Sequence, residues 1–305
     1  MDAHVQTLHE LTPEAERLVD RHFATAKEWF PHEMVPWGRG RDFVADEDWD
    51  PQEYPVSEGV RSALFVNLLT EDNLPYYFRT IERVFGADEV WGTWVRRWTA
   101  EEGRHSIVIR DYLTVTRALD PVALERARMS QVSGGQVPEP QTPADGLAYV
   151  ALQELATRIA HRNTGKLLED RVGYDIMARV ASDENLHFLF YRDMVLASLA
   201  NDPSTTVIAI ERQVREFEMP GTGIPGFAGH ARAIASSGIY DMQLHHDQIL
   251  VPVVLRQWGV EGLTGLTDEA ERARDALLKR IERIGRAGRA LAQRSNRREA
   301  SLAMA

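Results

Sequence analysis

The sequence predicts an all-α protein built on a helical bundle. Apolar residues recur at a period of about 3.6 residues through almost all of the 305-residue chain. No segment alternates apolar and polar residues long enough to read as a strand. Proline, glycine and capping residues cluster between the periodic segments, as helix boundaries require.

Taken in order, "LTPEAERLVDRHFATAKEWF" opens with Thr12 as a cap, Pro13 at the first helical position and acids in the first turn. It places an accessory helix within residues 10–35. "VSEGVRSALFVNLLTEDNLPYYFRTIERVF" keeps helical period up to Gly86, and residues 88–118 form a long amphipathic segment that stops at Asp120-Pro121. Residues 129–146, rich in Gly, Pro, Ser and Gln, read as a loop. Helical pattern resumes over 144–170 and again from 173 to about 200. "NDPSTTVIAIERQVREFEMP" is another capped helix, "GTGIPGFAG" a loop, and further helices run to the C-terminus. The expected organisation is one all-α domain over 1–305. Its bundle core spans 57–200, with accessory helices at 10–35 and 203–295 and a tail that is frayed or disordered.

The chain has no cysteine, which removes disulfides, Cys-ligated zinc and Cys-ligated iron–sulfur clusters. The N-terminus lacks the basic start and apolar core of a signal peptide, and no run of about 18 apolar residues is present. The expectation is a soluble cytoplasmic protein without a transmembrane segment. A net charge of −11 argues against nucleic acid as a partner. The charge is uneven: residues 271–298 hold ten Arg/Lys and three acids, a local +7, which leaves −18 on the rest. That segment is either a solvated helix or a docking face for an acidic partner.

Glu-x-x-His occurs twice, as Glu102…His105 and Glu184…His187. Each pair lies mid-helix, follows another acid (Glu101, Asp183), and sits in an apolar stripe. The first stripe is Trp91, Trp94, Trp98, Ile109 and Tyr112; the second is Ile176, Val180, Tyr191 and Met194. A charge directed into such a stripe is costly unless it is paired or bound to metal. Two lone acids complete the pattern. Glu71 is in register with Leu64, Leu68 and Phe78, and Glu154 with Leu147 and Val150. Glu71 precedes Glu102 by 31 residues and Glu154 precedes Glu184 by 30, the length of a helix, a turn and half the next helix. Two lone glutamates with two Glu-x-x-His pairs are the ligand set of dinuclear carboxylate bundles. Four carboxylates and two imidazoles suit iron, or manganese as a substitute, better than zinc.

At about 100° per residue, with His105 at zero, Glu102 falls near about +60°, Glu101 near about −40°, and the core near about +20°. Glu184 and Asp183 repeat these positions. The angular difference is small. The shorter Asp183 and the Glu-x-x-His spacing select Glu102 and Glu184 as ligands, leaving Glu101 and Asp183 to hold a liganding imidazole by its other nitrogen.

"NLLTEDNLP", "WTAEEGRH", "QELATRIAHRNTGK" and "ADENLHFLFYRD" closely resemble the soluble acyl-acyl-carrier-protein desaturases, nearest to actinobacterial members, over residues 20 to 270. The resemblance implies a ferritin-like four-helix bundle with flanking helices that holds two iron ions per chain. It implies a homodimer that uses O₂ and electrons from a ferredoxin-type donor to desaturate an acyl chain carried on acyl carrier protein. The metal ligands carry over as Glu71, Glu102, His105, Glu154, Glu184 and His187. Thr157, one turn from Glu154, corresponds to a family threonine suited to hydrogen-bonding an oxygen species or relaying a proton. Trp37 looks like the family tryptophan that links surface to metal, with His105 and Asp183 as the rest of that electron route. For Trp37, plain packing weighs equally.

Acyl carrier protein is acidic, so its dock must be a local basic patch: the 271–298 segment, or Arg17, Arg21 and Lys27. Arg158 lies on the face of Glu154 with no evident partner. His161, two turns beyond Glu154, reads as a hydrogen-bonded core histidine, and His245 and His246 as structural or exposed. The rival readings are an iron-sequestering subunit, a ribonucleotide reductase small subunit with Tyr112 or Tyr191 as its redox tyrosine, and a metal-free paralogue. Intact ligands count against the last.

Overall fold

Helix punctuation in this chain follows local chemistry. The computed structural model describes residues 3–303 apart from 45, 46 and 220, and the side chains of residues 4–294 with the same exceptions. The helices are α1 (Ala3–Thr25), α2 (Pro31–Met34), α3 (Glu58–Glu71), α4 (Leu74–Phe85), α5 (Glu89–Thr116) and α6 (Pro121–Gly134). They continue with α7 (Pro143–Leu167), α8 (Arg171–Asn201), α9 (Pro203–Glu216), α10 (Phe227–Ser236), α11 (Met242–His245) and α12 (Asp268–Ala303). No strand occurs among the described residues. Three helices start with a capping side chain followed by proline. Asp120 accepts from the Val122 and Ala123 amides, Thr142 from Asp145, and Asp202 from Thr205. Gly86 at φ 91° ends α4, and Arg117 at φ 55° ends α5.

α3, α5, α7 and α8 form the bundle, with the most extensive contact between α7 and α8. α1 packs across α5 and α8, α9 and α12 cover the α7 side, and α10 lies on α3. One apolar cluster joins α1, α4, α5, α7, α8 and the C-terminal helices through residues such as Leu18, Trp94, Leu152 and Tyr191. A second, around Leu64, Ile109, Tyr112 and Val180, closes the other end. The metal-ligand candidates lie between the two.

Three boundaries differ from the sequence expectation. α1 begins at Ala3 and carries Pro13 in its interior, where Thr12 Oγ1 and Trp91 Nε1 both donate to the Leu8 carbonyl. The stretch up to Gly86 is two helices, because the chain turns at Asp72–Asn73 before Pro75. Residues 129–134, expected as loop, extend α6. The basic C-terminal segment, expected as a solvated, partly frayed helix, lies within α12, which runs to Ala303; residues 304 and 305 lie outside the described residues. Residues His246–Gln257 form a π-helix that includes Pro252 and buries Ile249, Leu250, Val253 and Val254. No helix among the described residues is long and apolar enough to cross a membrane.

Candidate metal centre

Each bundle helix brings its acid to mid-depth on its apolar face. Glu71 closes α3, Glu102 and His105 sit mid-α5, Glu154 mid-α7, and Glu184 and His187 mid-α8, and all six are buried. They gather into two overlapping groups. Glu71, Glu102, His105 and Glu184 each offer one ligand atom within 4.8 Å of the others, and so do Glu102, Glu154, Glu184 and His187. Glu102 and Glu184 belong to both groups. Two cations placed there would share those carboxylates, and each would keep one lone glutamate and one histidine.

The imidazoles point their Nδ1 atoms inward. His105 Nδ1 lies 3.4 Å from Glu102, 3.5 Å from Glu184 and 3.6 Å from Glu71. His187 Nδ1 lies 2.8 Å from Glu102 and 3.5 Å from Glu154. These approaches lack hydrogen-bond alignment: both Nδ1 atoms, Glu102 Oε1 and Glu154 Oε2 are buried without a hydrogen-bond partner. Buried polar atoms left in this state are costly. Nitrogen and carboxylate oxygen aimed at common points are what a hard cation requires, so the residues fit the dinuclear site.

The electrostatics agree. Burial, Glu184 and Glu102 together push the Glu154 carboxyl well above the usual carboxylate range. Burial drives the two imidazoles toward neutrality, but the surrounding acids outweigh it and raise both. Glu71 and Glu184 also carry a burial penalty, which histidine contacts overcome, so both are lowered. Excess negative charge here recruits protons that a divalent cation would displace.

Outside the ligands the two halves cross over. Asp183, on α8, stands 3.5 Å from Nε2 of His105 on α5. Glu101, on α5, accepts from Nε2 of His187 on α8 at 2.9 Å. Burial raises each outer acid, but its histidine contact and other donors hold it well below the usual carboxylate range. Glu101 and Asp183 therefore sit outside the two groups that share Glu102 and Glu184, and Glu101 forms a separate buried group with His22 and His187.

Three further groups orient the carboxylates. Thr157 Oγ1 lies 2.8 Å from Glu184 Oε2, Trp98 Nε1 donates to Glu154 at 2.9 Å, and His161 Nε2 bonds Glu71 at 2.9 Å. His161 is thus a hydrogen-bonded core histidine, and its partner is a ligand candidate. Arg104 pairs with Asp183 at 3.1 Å and does not reach the ligand carboxylates. Arg158 is half-buried and makes no ion pair among the described residues; burial and then Arg162 lower its pKa. His245 is buried and bonded to the Tyr240 hydroxyl at 2.8 Å, away from the ligands.

Trp37 requires correction. It is 51% exposed, and its indole donates to the His32 carbonyl. Trp29, 7% exposed, donates to Asp183 at 2.8 Å and stacks parallel on His105 at 6.5 Å. The helix α2 lies between the two tryptophans and carries Trp37 to the surface. Sequence reasoning missed Trp29 and, on the opposite side, His22, which bonds Glu101 at 2.9 Å. Register held a signal for His22, which continues the buried α1 stripe of Leu11, Ala15 and Leu18.

A family model described as fatty acid desaturase matches residues 3–304. The chain is 43% identical over 266 residues to DesA1 of Mycobacterium tuberculosis, named as an acyl-[acyl-carrier-protein] desaturase, with 84% of this chain and 78% of that one covered. It is 31% identical over 285 residues to acyl-[acyl-carrier-protein] desaturase 7, chloroplastic, of Oryza sativa subsp. indica, with 86% and 70% covered. The X-ray structure of DesA2 from M. tuberculosis H37Rv, also named as an acyl-ACP desaturase, matches with a TM-score of 0.70 at 28% identity, covering 88% of this chain and 99% of that one. The duplicated carboxylate–histidine groups thus sit in a ferritin-like bundle, and the chain belongs to the fatty acid desaturase family.

Proposed function

We propose that the chain desaturates a fatty acyl group carried as a thioester on acyl carrier protein, at a di-iron centre held by Glu71, Glu102, His105, Glu154, Glu184 and His187. The supporting observation is the pair of ligand groups that share Glu102 and Glu184. With iron bound, the site supplies redox chemistry in which O₂, two external electrons, two protons and two hydrogens of the acyl chain give a double bond and two waters. The protein's own part is orientation and proton handling. Asp183 and Glu101 fix the imidazoles through their outer nitrogens, as carboxylates behind liganding histidines do. His161 and Trp98 hold Glu71 and Glu154. The Thr157 hydroxyl, on Glu184 and one turn from Glu154, is placed to hold or pass a proton at Glu184 Oε2.

Electrons come from outside, from a ferredoxin-type donor, since the chain has no cysteine to hold a cluster. Trp29, Asp183 and His105 form the contact chain toward the outer surface, in the place that Trp37 was expected to fill. The acidic carrier protein docks on the α12 face. Arg272, Lys279, Arg283 and Arg289 are exposed there without ion pairs among the described residues, whereas in the other candidate patch Arg17 pairs with Glu14 and Arg21 with Asp193, leaving Lys27 as its exposed, unpaired cation among the described residues. The working form is a homodimer.

The test is anaerobic loading with ferrous iron, followed by O₂, a ferredoxin system and a panel of acyl-carrier-protein thioesters, with products read by mass spectrometry. About two irons per chain and an O₂-dependent loss of two mass units from one chain length support the reading. Zinc alone at the site, or no product across the panel, contradicts it.

A further inference from the structure

Each outer carboxylate is braced by a ring N–H from the N-terminal segment, and the two rings differ. Asp183 takes the Trp29 indole, which stacks on His105. Glu101 takes the His22 imidazole, which stacks on His187 with centroids 5.9 Å apart and planes 24° apart. On Glu101 both imidazoles use one oxygen: His22 Nε2 and His187 Nε2 are each 2.9 Å from Oε2. The other oxygen faces Arg97 at 2.6 Å, whose side chain is partly exposed. His22 itself is buried against Trp94, and its Nδ1 has no hydrogen-bond partner among the described residues. Its one hydrogen bond therefore goes to the carboxylate that aims His187.

We infer that His22 is a positioning residue. Acting through Glu101, it sets the metal affinity of the position held by His187 and Glu154, and leaves the position held by His105 and Glu71 unchanged. The physical basis is directional. An ionised, buried Glu101 with two donors on Oε2 is fixed in one orientation, and this orientation holds the His187 ring with Nδ1 facing the carboxylates. Without His22, the carboxylate can turn toward Arg97 and Arg104, the latter 3.8 Å from Oε1, and release the ring. The inference rests on the dinuclear reading above. It makes the two positions separable by one side chain that touches neither.

The test is a titration of metal-free full-length protein with Co²⁺, following its visible absorption, and with Fe²⁺ under anaerobic conditions. His22→Phe fills the space and deletes the donor, while His22→Gln keeps an N–H near the Nε2 position. One equivalent should bind His22→Phe as it binds the parent and the second about 10- to 100-fold more weakly, the usual scale for losing a partner behind a ligand. His22→Gln should recover most of that loss. Metal-free melting curves show whether each variant folds. If His22→Phe does not, His22→Asn, too short to reach Glu101 Oε2, replaces it. Two equivalents bound as tightly as by the parent, an equal loss at both, or no recovery with glutamine would each overturn the inference while leaving the dinuclear reading intact. A parent chain that does not take up two equivalents would overturn that reading and this inference with it.

Discussion

Glu101 accepts from His187 on α8, its Oε2 lying 2.9 Å from Nε2, although His105 stands one turn further along its own helix, α5. The matching acid on α8, Asp183, faces His105 in return. Each helix therefore braces the other's candidate ligand histidine, and removing either acid should act across the bundle. Glu101→Gln keeps the size but loses the charge that two imidazoles share. Metal affinity should fall about 10- to 100-fold at one of two positions, as measured by competition with a chelator. Unchanged affinity would mean that the crossing is only packing.

The tryptophan assignment gives a paired comparison. Trp29→Phe removes the indole N–H from Asp183, and Trp37→Phe removes a surface bond to a carbonyl. Reduction of the iron-loaded chain by a ferredoxin-type donor, followed by stopped flow, should slow about tenfold or more in the first, an estimate scaled to losing a partner behind a ligand. It should be unchanged in the second. The opposite order would restore Trp37 to the route.

Thr157→Val is nearly isosteric and removes the hydroxyl that reaches Glu184 Oε2. Leaving that buried oxygen short of a donor should destabilise the metal-free fold by about 1–3 kcal/mol, read by urea unfolding. Turnover should fall as well, and Thr157→Ser should restore both. If serine restores stability but not turnover, the hydroxyl's role is structural.

A pH effect follows from His245. Burial and then the neighbouring His246 lower its pKa from 6.5 to about 4. The unfolded chain therefore takes up this proton first as pH falls. The stability held by the neutral ring is complete above about pH 6.5 and is lost progressively toward pH 4, by an amount on the order of 3 kcal/mol. Asn at this position can still accept from Tyr240 and cannot titrate. Unfolding free energies at pH 7 and pH 5 should differ less in His245→Asn than in the parent, and an equal difference would refute the assignment.

The six residues that the bundle brings together could be picked out of the sequence because acids and histidines that meet in a bundle sit in register on apolar faces. Glu71, Glu102, Glu154 and Glu184 break hydrophobic stripes at matched spacing. The choice of Glu102 over Glu101 rested on a small angle, because both residues are buried and the sequence cannot show the partner helix that claims Glu101. Trp29 and His22 were not assigned, since they meet the bundle through contacts 154 and 79 residues away in sequence. His161 shares the stripe of Glu154, and spacing alone does not reveal that it holds Glu71. Pro13 and Asp72–Asn73 misplaced two helix boundaries for a simpler reason: tertiary packing carried one helix through a proline and broke another where the periodicity continued.

The central claim is a dinuclear site with Glu102 and Glu184 common to both metals. Its most direct measurement is the metal content and magnetism of the anaerobically loaded chain, compared with Glu102→Ala. The account predicts about two irons per parent chain, magnetically coupled after oxidation, and loss of the coupling when Glu102 is removed. One iron per chain, or two uncoupled irons that tolerate Glu102→Ala, would contradict it.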